Sequence, residues 1–277
     1  MTTRTFLKAL LCFLALSACT TANPSISTTP TESLANPEEH SLTVFAAASL
    51  SEAFTELGER FMAENLGVKI TFNFAGSQQL AQQLAQGAPA DVFASADRKQ
   101  MDVATQAGRI TSDSPQLFAQ NRLVLIFPKE NPANLKQLED LTKPGIKLIL
   151  AAEAVPVGRY SLDFLEKASQ DPSFGPAFKE NVLKNVVSYE ENVRAVLSKV
   201  VLGEADAGIV YASDISPANV GDVGSLAIPE DLNILADYYL SPISDSQNSG
   251  LAQNFITFVL SKAGQDILAS YGLIPLR

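Results

Sequence analysis

Two hydrophobic patterns alternate along the chain from about residue 41 onward. Residues 68–74 place apolar side chains at every second position, which predicts a half-buried strand. Short, nearly unbroken apolar runs are typical of buried strands. Such runs lie at 43–45, 91–96, 123–127, 147–151 and 207–211.

The segments between these strands carry apolar residues at helical spacing. Leu50, Phe54, Leu57 and Phe61 predict the first helix, and Gly67 is expected to end it. Further helices are predicted at 80–85, 160–168, 193–201, 249–261 and 264–270. Alternation of strands and helices is typical of mainly parallel sheets with helices on both faces.

The length of 277 residues fits two α/β lobes better than one sheet. We expect the chain to cross between the lobes in strands near 122–127 and 234–243. This division assigns residues 41–121 plus 241–277 to lobe 1 and residues 122–240 to lobe 2. Ligands of such folds bind at the carboxyl ends of strands, where loops lead into helices.

The first 19 residues have the pattern of a bacterial lipoprotein signal peptide. Arg4 and Lys8 precede an apolar run at 10–16, and the sequence LSAC that ends at Cys19 resembles a lipobox. The alternative is an ordinary signal peptide that is cut nearby. In a lipoprotein Cys12 is removed and Cys19 is acylated, which leaves no thiol for a disulfide, a metal or catalysis. The lipid would anchor the protein at the periplasmic side of the cytoplasmic membrane.

Residues 20–40 are rich in Thr, Ser, Pro and Asn and predict a flexible tether. In the chain that follows, no segment is predicted to span a membrane. The formal net charge of −10 argues against binding of nucleic acid, which needs a basic surface. This charge does not exclude a small anion, because local hydrogen-bond donors can outweigh a distant net charge.

Small and hydroxyl-bearing residues mark the junctions between strands and helices. Ser49 follows three alanines and forms a capping-box pattern with Glu52, and Ser77 follows Gly76 as an expected N-cap. Asn192, or one of the two glutamates before it, is a further candidate cap. A single residue of this kind most often only starts a helix. Several helix starts together present free N–H groups and form an anion site that needs no lysine or arginine. A site of donors alone suits a fully ionised anion, because an anion that keeps a proton also needs an acceptor.

Six segments at these junctions resemble, in order, the motifs of the periplasmic molybdate-binding proteins, the solute-binding components of molybdate ABC transporters. They are TVFAAASL, FAGSQQLAQQL, GAPADVFASAD, VPVGRY, EENVRA and GIVYASD, and the resemblance covers residues 42–277. It implies the type II periplasmic-binding-protein fold, in which two α/β lobes joined by two crossing strands close over one oxyanion in a cleft. It also implies a monomer that delivers molybdate, and tungstate as well, to an ABC permease. No cofactor is implied, and the only metal is the molybdenum of the bound oxyanion.

The same resemblance implies which residues bind the anion. These are the hydroxyls of Ser49 and Ser77, the backbone amides of Val157 and Val193, and the phenolic hydroxyl of Tyr211. Two positions depart from the family pattern: Gly76 replaces a serine of some members, and PVGRY at 156–160 replaces PAGIY of others. The second change brings the charge of Arg159 near the cleft.

Other candidate groups are expected to have structural roles. Arg159 and Arg194 are expected to pair with carboxylates on the lobe surface rather than with the anion. Asp91 and Asp97 flank a strand, and capping is expected of them before cation binding or catalysis.

Two alternative functions have less support in the sequence. A receptor for sulfate or a ferric chelate usually has other cleft residues. A serine hydrolase needs a base, and the sole histidine, His40, lies outside the predicted core. The chain also lacks a G-x-S-x-G elbow, a phosphate-binding loop with lysine and a cluster of metal ligands, so an enzyme is not expected.

Overall fold

The computed structural model describes residues 40–217 and 219–276. The predicted signal peptide with Cys19, and the predicted tether up to residue 39, lie outside the described residues. The first strand begins at His40, one residue before the expected start of the fold. None of the helices in the described part of the chain has the length and apolar character to cross a membrane.

Six strands form the first sheet, in the order β11-β4-β10-β3-β1-β2. Strand β1 pairs in parallel with β2 and β3, whereas β10 pairs antiparallel with β3 and β4. Their bounds are β1 His40–Ala47, β2 Val68–Ala75, β3 Val92–Ser95, β4 Gln116–Asn121, β10 Ala236–Pro242 and β11 Ile274–Pro275.

Five strands form the second sheet, in the order β7-β6-β8-β5-β9. Strand β6 pairs in parallel with β7 and β8, and β5 pairs antiparallel with β8 and β9. Both sheets are therefore mixed, and the expectation of mainly parallel sheets is wrong. The bounds are β5 Leu123–Pro128, β6 Leu148–Ala151, β7 Val186–Glu190, β8 Ala207–Tyr211 and β9 Val223–Ala227.

The helices confirm every helix predicted from apolar spacing and add α3 and α5. Helix α3 is mostly polar and α5 spans only six residues, so neither gives a clear periodic signal. The bounds are α1 Ser51–Glu64, α2 Ser77–Ala85, α3 Arg98–Gln106, α4 Pro156–Gln170, α5 Phe178–Leu183, α6 Val193–Val201, α7 Ser249–Leu260 and α8 Lys262–Ser270.

Each sheet with the helices that pack on it forms one lobe. We call the six-stranded sheet with α1–α3, α7 and α8 lobe 1, and the five-stranded sheet with α4–α6 lobe 2. In β1 and β3, Val44 and Val92 face the main core, whereas Phe45 and Phe93 face a second cluster with residues of α2 and α3. Helices therefore cover both faces of the first sheet, as the alternating pattern predicted.

The chain enters lobe 2 at Arg122, between β4 and β5, and returns between β9 and β10. Strand β10 pairs along its length with β3 and β4, so it belongs wholly to lobe 1 and spans the predicted boundary at residue 240. The side chain of Asn233, in the segment that returns to lobe 1, is hydrogen-bonded to the start of β5, where the chain enters lobe 2. Its Oδ1 accepts the Leu123 N–H at 3.0 Å, and its Nδ2 donates to the Leu123 carbonyl at 2.9 Å.

Candidate functional site

The carboxyl ends of six parallel strands, three from each sheet, meet at one small cavity of about 10 Å³, enough for about one water-sized sphere. Lobe 1 contributes the residues after β1, β2 and β3, and lobe 2 those after β6, β7 and β8. The structure brings together at this cavity all five residues that the family resemblance selected: Ser49, Ser77, Val157, Val193 and Tyr211.

Ser49 does not cap a helix. It lies in a short 3₁₀ turn, Ala48–Leu50, and α1 begins after it with no side-chain cap. The capping-box prediction for Ser49 and Glu52 is therefore wrong. The Ser49 Oγ lies instead 2.8 Å from the hydroxyl of Tyr238, and both side chains are buried.

Ser77 does not cap a helix either. Gly76 holds the N-cap position of α2, and its N–H donates to Gln79 Oε1 at 3.1 Å. Ser77 is the first helical residue, and its Oγ accepts the backbone N–H of Ala96 at 3.0 Å. The hydroxyl is thus held at the cavity by a backbone partner from the end of β3.

Helix α4 presents free backbone donors to the cavity. Pro156 at its first position has no N–H, and the first intrahelical bond runs from Arg159 N–H to the Val155 carbonyl at 3.0 Å. The N–H groups of Val157 and Gly158 therefore have no partner within the helix. Gly158 allows this placement, since a Cβ atom there would lie 2.1 Å from the Ala152 carbonyl oxygen.

Helix α6 supplies a further backbone donor. Asn192 caps it, as predicted, by accepting the Ala195 N–H at 3.0 Å. Val193 is the first helical residue and lines the cavity, and its N–H has no intrahelical partner because of its position. Asn192 thus accepts the Ala195 N–H and leaves the Val193 N–H for a ligand.

Tyr211 contributes a buried hydroxyl that has no hydrogen-bond partner among the described residues. Burial, with smaller effects of nearby Tyr238 and Tyr160, raises the pKa of Tyr211 well above its usual value. The phenol therefore stays neutral and keeps its proton at neutral pH. A buried unpaired hydroxyl costs about 1–3 kcal/mol, which a ligand that accepts its hydrogen bond would recover.

None of the described residues that line the cavity carries a charged side chain. The N-termini of α2, α4 and α6 contribute lining residues, and the partial positive charge and free N–H groups of a helix start favour an anion. Among the described residues the lining thus combines helix starts with neutral side chains and contains no lysine or arginine.

Two arginines of lobe 2 bridge to lobe 1 beside the cavity. Arg159 Nη2 lies 2.9 Å from Asp97 Oδ2, and Arg194 pairs with Glu52. Arg194 Nε also donates to the carbonyl of Ala48 at 3.3 Å. The prediction of carboxylate partners is confirmed. The predicted place on the lobe surface is wrong, because these partners lie across the cleft.

The side-chain amides of two glutamines also join the lobes around the cavity. Gln78 Nε2 donates to the Glu191 carbonyl at 2.8 Å, and Gln79 Nε2 donates to Glu191 Oε2 at 3.0 Å. A Cβ atom on Gly76 would lie 2.7 Å from the same Glu191 carbonyl oxygen. These contacts describe a closed cleft in which Gly76 allows the lobes to approach.

The capping roles expected of Asp91 and Asp97 are confirmed. Asp97 Oδ1 accepts the Gln100 N–H at 2.9 Å and starts α3. Asp91 accepts the Thr43 N–H at 2.7 Å and the Ser246 hydroxyl at 2.6 Å.

Sequence reasoning missed three buried polar residues behind the cavity wall: Asp214, Tyr238 and Asn121. Burial raises the pKa of Asp214 to about 6, although Arg194 and the N–H of Tyr211 act to lower it. Asp214 is the last residue of the GIVYASD motif, so the sequence marked its position but did not indicate its role. Tyr238 and Asn121 lie on β10 and β4, outside all six motifs, and had no signal.

Comparisons with known proteins cover nearly the whole described fold. The profile of the family described as bacterial extracellular solute-binding protein matches residues 42–274. The chain is 39% identical over 249 residues to the molybdate-binding protein of Mycobacterium tuberculosis H37Rv, covering 89% of this chain and 90% of that protein. It is 31% identical over 241 residues to the molybdate-binding protein of Escherichia coli K12, covering 85% and 89%. The periplasmic molybdate-binding protein of Azotobacter vinelandii shares the fold, with a TM-score of 0.72 at 19% identity over 85% of this chain and all of that one.

Proposed function

The chain belongs to the family of bacterial extracellular solute-binding proteins, and we propose that it binds molybdate between its lobes and delivers it to an ABC permease. Tungstate fits the same proposal, because it is nearly the same in size and charge. The protein acts in this proposal as a receptor and not as an enzyme. A receptor for sulfate or a ferric chelate is the alternative.

One observation carries this proposal: five positions from separate motifs supply hydrogen-bond donors to one buried, uncharged cavity. Two serine hydroxyls, two helix-start amides and one unpartnered phenol surround the space. Such a set matches a small tetrahedral anion that accepts hydrogen bonds on every oxygen. Two relatives that the chain resembles are molybdate-binding proteins, and molybdate is an anion of this class.

Binding is coupled to closure in this proposal. Ser49 and Ser77 belong to lobe 1, whereas Val157, Val193 and Tyr211 belong to lobe 2. An anion that contacts both sets stabilises only the closed state, so it shifts the population toward closure. In this proposal the permease recognises the closed form, which is the ligand-bound form.

Thermal denaturation with a panel of anions tests the function. We expect molybdate and tungstate, at a hundredfold excess over Kd, to raise the free energy of unfolding by about 2.7 kcal/mol and the Tm by about 5–10 °C. The protein from residue 20 onward is heated with molybdate, tungstate, sulfate, phosphate or a ferric chelate. If millimolar molybdate and tungstate leave the Tm unchanged, the assignment fails. A larger shift with sulfate or the chelate would favour the alternative receptor.

We further propose that the protein is a monomer anchored outside the cytoplasmic membrane through an acylated Cys19. Replacing Cys19 with serine is expected to move the protein from the membrane fraction to the soluble fraction of cells. The fractions are compared by immunoblot, and attachment that persists in the variant would point to a different anchor.

A further inference from the structure

The hydroxyl of Ser49 stands at the end of a buried chain of polar side chains. Tyr238 OH lies 2.8 Å from Ser49 Oγ, and Asn121 Nδ2 lies 3.4 Å from the same Tyr238 hydroxyl. Asn121 and Tyr238 are fully buried, and Ser49 is only 4% exposed. Neither Asn121 nor Tyr238 lines the cavity, and the hydrogen bond to Ser49 links them to it. The ring of Tyr238 also packs edge-on against the ring of Tyr211, at 5.7 Å between centroids, and a Tyr238→Phe substitution keeps this contact.

The backbone fixes the direction of the hydrogen bonds along this chain. Asn121 Oδ1 accepts the N–H of Arg122 at 3.0 Å, so the amide nitrogen must face the other way. That nitrogen donates one hydrogen to Ser213 Oγ at 2.7 Å and turns the other toward Tyr238. The oxygen of Tyr238 is therefore an acceptor for Asn121. Among the described residues Ser49 Oγ is the acceptor left for the Tyr238 hydrogen, so we assign Tyr238 as the donor of that bond.

Ser49 consequently receives a hydrogen bond from behind and has its own hydrogen left for the cavity. Burial raises the pKa of Tyr238 well above its usual value, so this donor keeps its proton at neutral pH. The Ser77 hydroxyl also accepts a hydrogen bond from behind, in this case from the backbone N–H of Ala96, and keeps its own hydrogen for the cavity. The two serines are thus both oriented as donors.

The other three groups proposed to bind the anion also act as hydrogen-bond donors. The amides of Val157 and Val193 can only donate. Among the described residues no acceptor lies within hydrogen-bond distance of the Tyr211 hydroxyl, so its hydrogen has no partner other than a ligand.

We propose that Asn121 and Tyr238 are positioning residues that fix the Ser49 hydroxyl as a donor to the bound oxyanion. This inference rests on the proposed function and adds two residues from β4 and β10 to it. Its consequence is that the cavity offers no acceptor to an anion that keeps a proton, which would leave a buried O–H unpaired. Loss of the Tyr238 hydroxyl removes this constraint, because Ser49 is then free to accept as well as donate.

A double-mutant cycle tests whether Tyr238 acts through Ser49. In the parent protein we expect Tyr238→Phe to weaken molybdate binding about three- to tenfold, as expected for one hydrogen bond. The same substitution should have almost no effect in a Ser49→Ala background and its full effect in a Ser77→Ala background. Affinities are measured by isothermal titration calorimetry, and apo melting curves confirm that each variant folds. Tyr239→Phe is the matched control and should bind as the parent does, because Tyr239 packs against the second cluster on the other face of β10, and it is Tyr238 that bonds to Ser49.

The direction of the hydrogen bonds from Asn121 through Tyr238 to Ser49 can also be tested by anion selectivity. Sulfate and phosphate are similar tetrahedral anions, but phosphate keeps a proton at pH 7. Tyr238→Phe should shift competition against molybdate in favour of phosphate relative to sulfate. Equal weakening in the Ser49→Ala and Ser77→Ala backgrounds, or unchanged molybdate affinity in Tyr238→Phe, would overturn the inference. A parent protein that binds no molybdate would instead overturn the proposed function.

Discussion

Replacing Ser77 with alanine is expected to weaken molybdate binding about 10- to 100-fold. The substitution removes a hydroxyl donor to a charged ligand, and such hydrogen bonds contribute about 1.5–3 kcal/mol. It also removes the acceptor of the buried Ala96 N–H, so the apo protein should lose about 1–3 kcal/mol of stability. Calorimetric titration measures the first effect and chemical denaturation without ligand measures the second.

Two companion variants separate the ligand role from the structural role. Ser49→Ala should lower the affinity by a similar factor, whereas Ser51→Ala should leave it near that of the parent. Ser51 is a neighbouring serine whose hydroxyl bonds to the Ala48 carbonyl and to Glu52, and it does not line the cavity. Ser77→Ala and Ser49→Ala proteins that lose apo stability but bind molybdate as tightly as the parent would assign the hydroxyls a purely structural role.

The location of the site was predictable from local sequence because every contributing segment is a strand-to-helix junction. Apolar runs locate the strands, small residues mark where each one ends, and the carboxyl ends of parallel strands meet at one edge. Local sequence does not settle what each hydroxyl bonds to. Ser49 and Ser77 both looked like caps, yet their partners are Tyr238 and Ala96, which no local pattern connects to them.

Contacts between distant segments account for the other differences between sequence and structure. Strand β10 follows a long excursion through lobe 2, and only tertiary pairing inserts it between β3 and β4. Arg159 and Arg194 lie on exposed-looking helix positions, and the closed cleft supplies their partners Asp97 and Glu52. Pairing across a sheet and across a cleft depends on the whole fold, so periodicity within one segment cannot predict it.

The charge distribution explains how a protein of net charge −10 offers a site to an anion. The guanidinium groups of Arg159 and Arg194 are engaged by carboxylates that join the lobes, and the cavity itself is lined by neutral groups. The positive ends of helices act over about one turn, so they dominate inside the cavity while the net charge acts mainly outside it. The arginines therefore support closure, and the neutral donors provide the contacts to the anion.

Replacing Gly158 with alanine is expected to have the largest effect on the fold and to abolish tight binding. The new Cβ would lie 2.1 Å from the Ala152 carbonyl oxygen and 2.4 Å from that of Ala151, and backbone atoms cannot move aside as flexible side chains do. The first turn of α4 must therefore shift, at a cost of about 3 kcal/mol, which lowers the Tm by about 6–12 °C. The same shift displaces the Val157 N–H, so molybdate affinity should fall at least tenfold.

Gly250→Ala provides the matched control for this substitution. Gly250 lies in the first turn of α7, and no atom beyond its chain neighbours and helix lies within 4 Å of a Cβ built on it. Alanine there should leave molybdate affinity unchanged and raise stability by up to about 1 kcal/mol, because glycine is the poorer helix residue. Melting curves and titrations of both variants separate close packing at α4 from a general effect of losing a glycine. A Gly158→Ala protein that melts and binds like the parent would show that α4 can begin without this close approach to the end of β6.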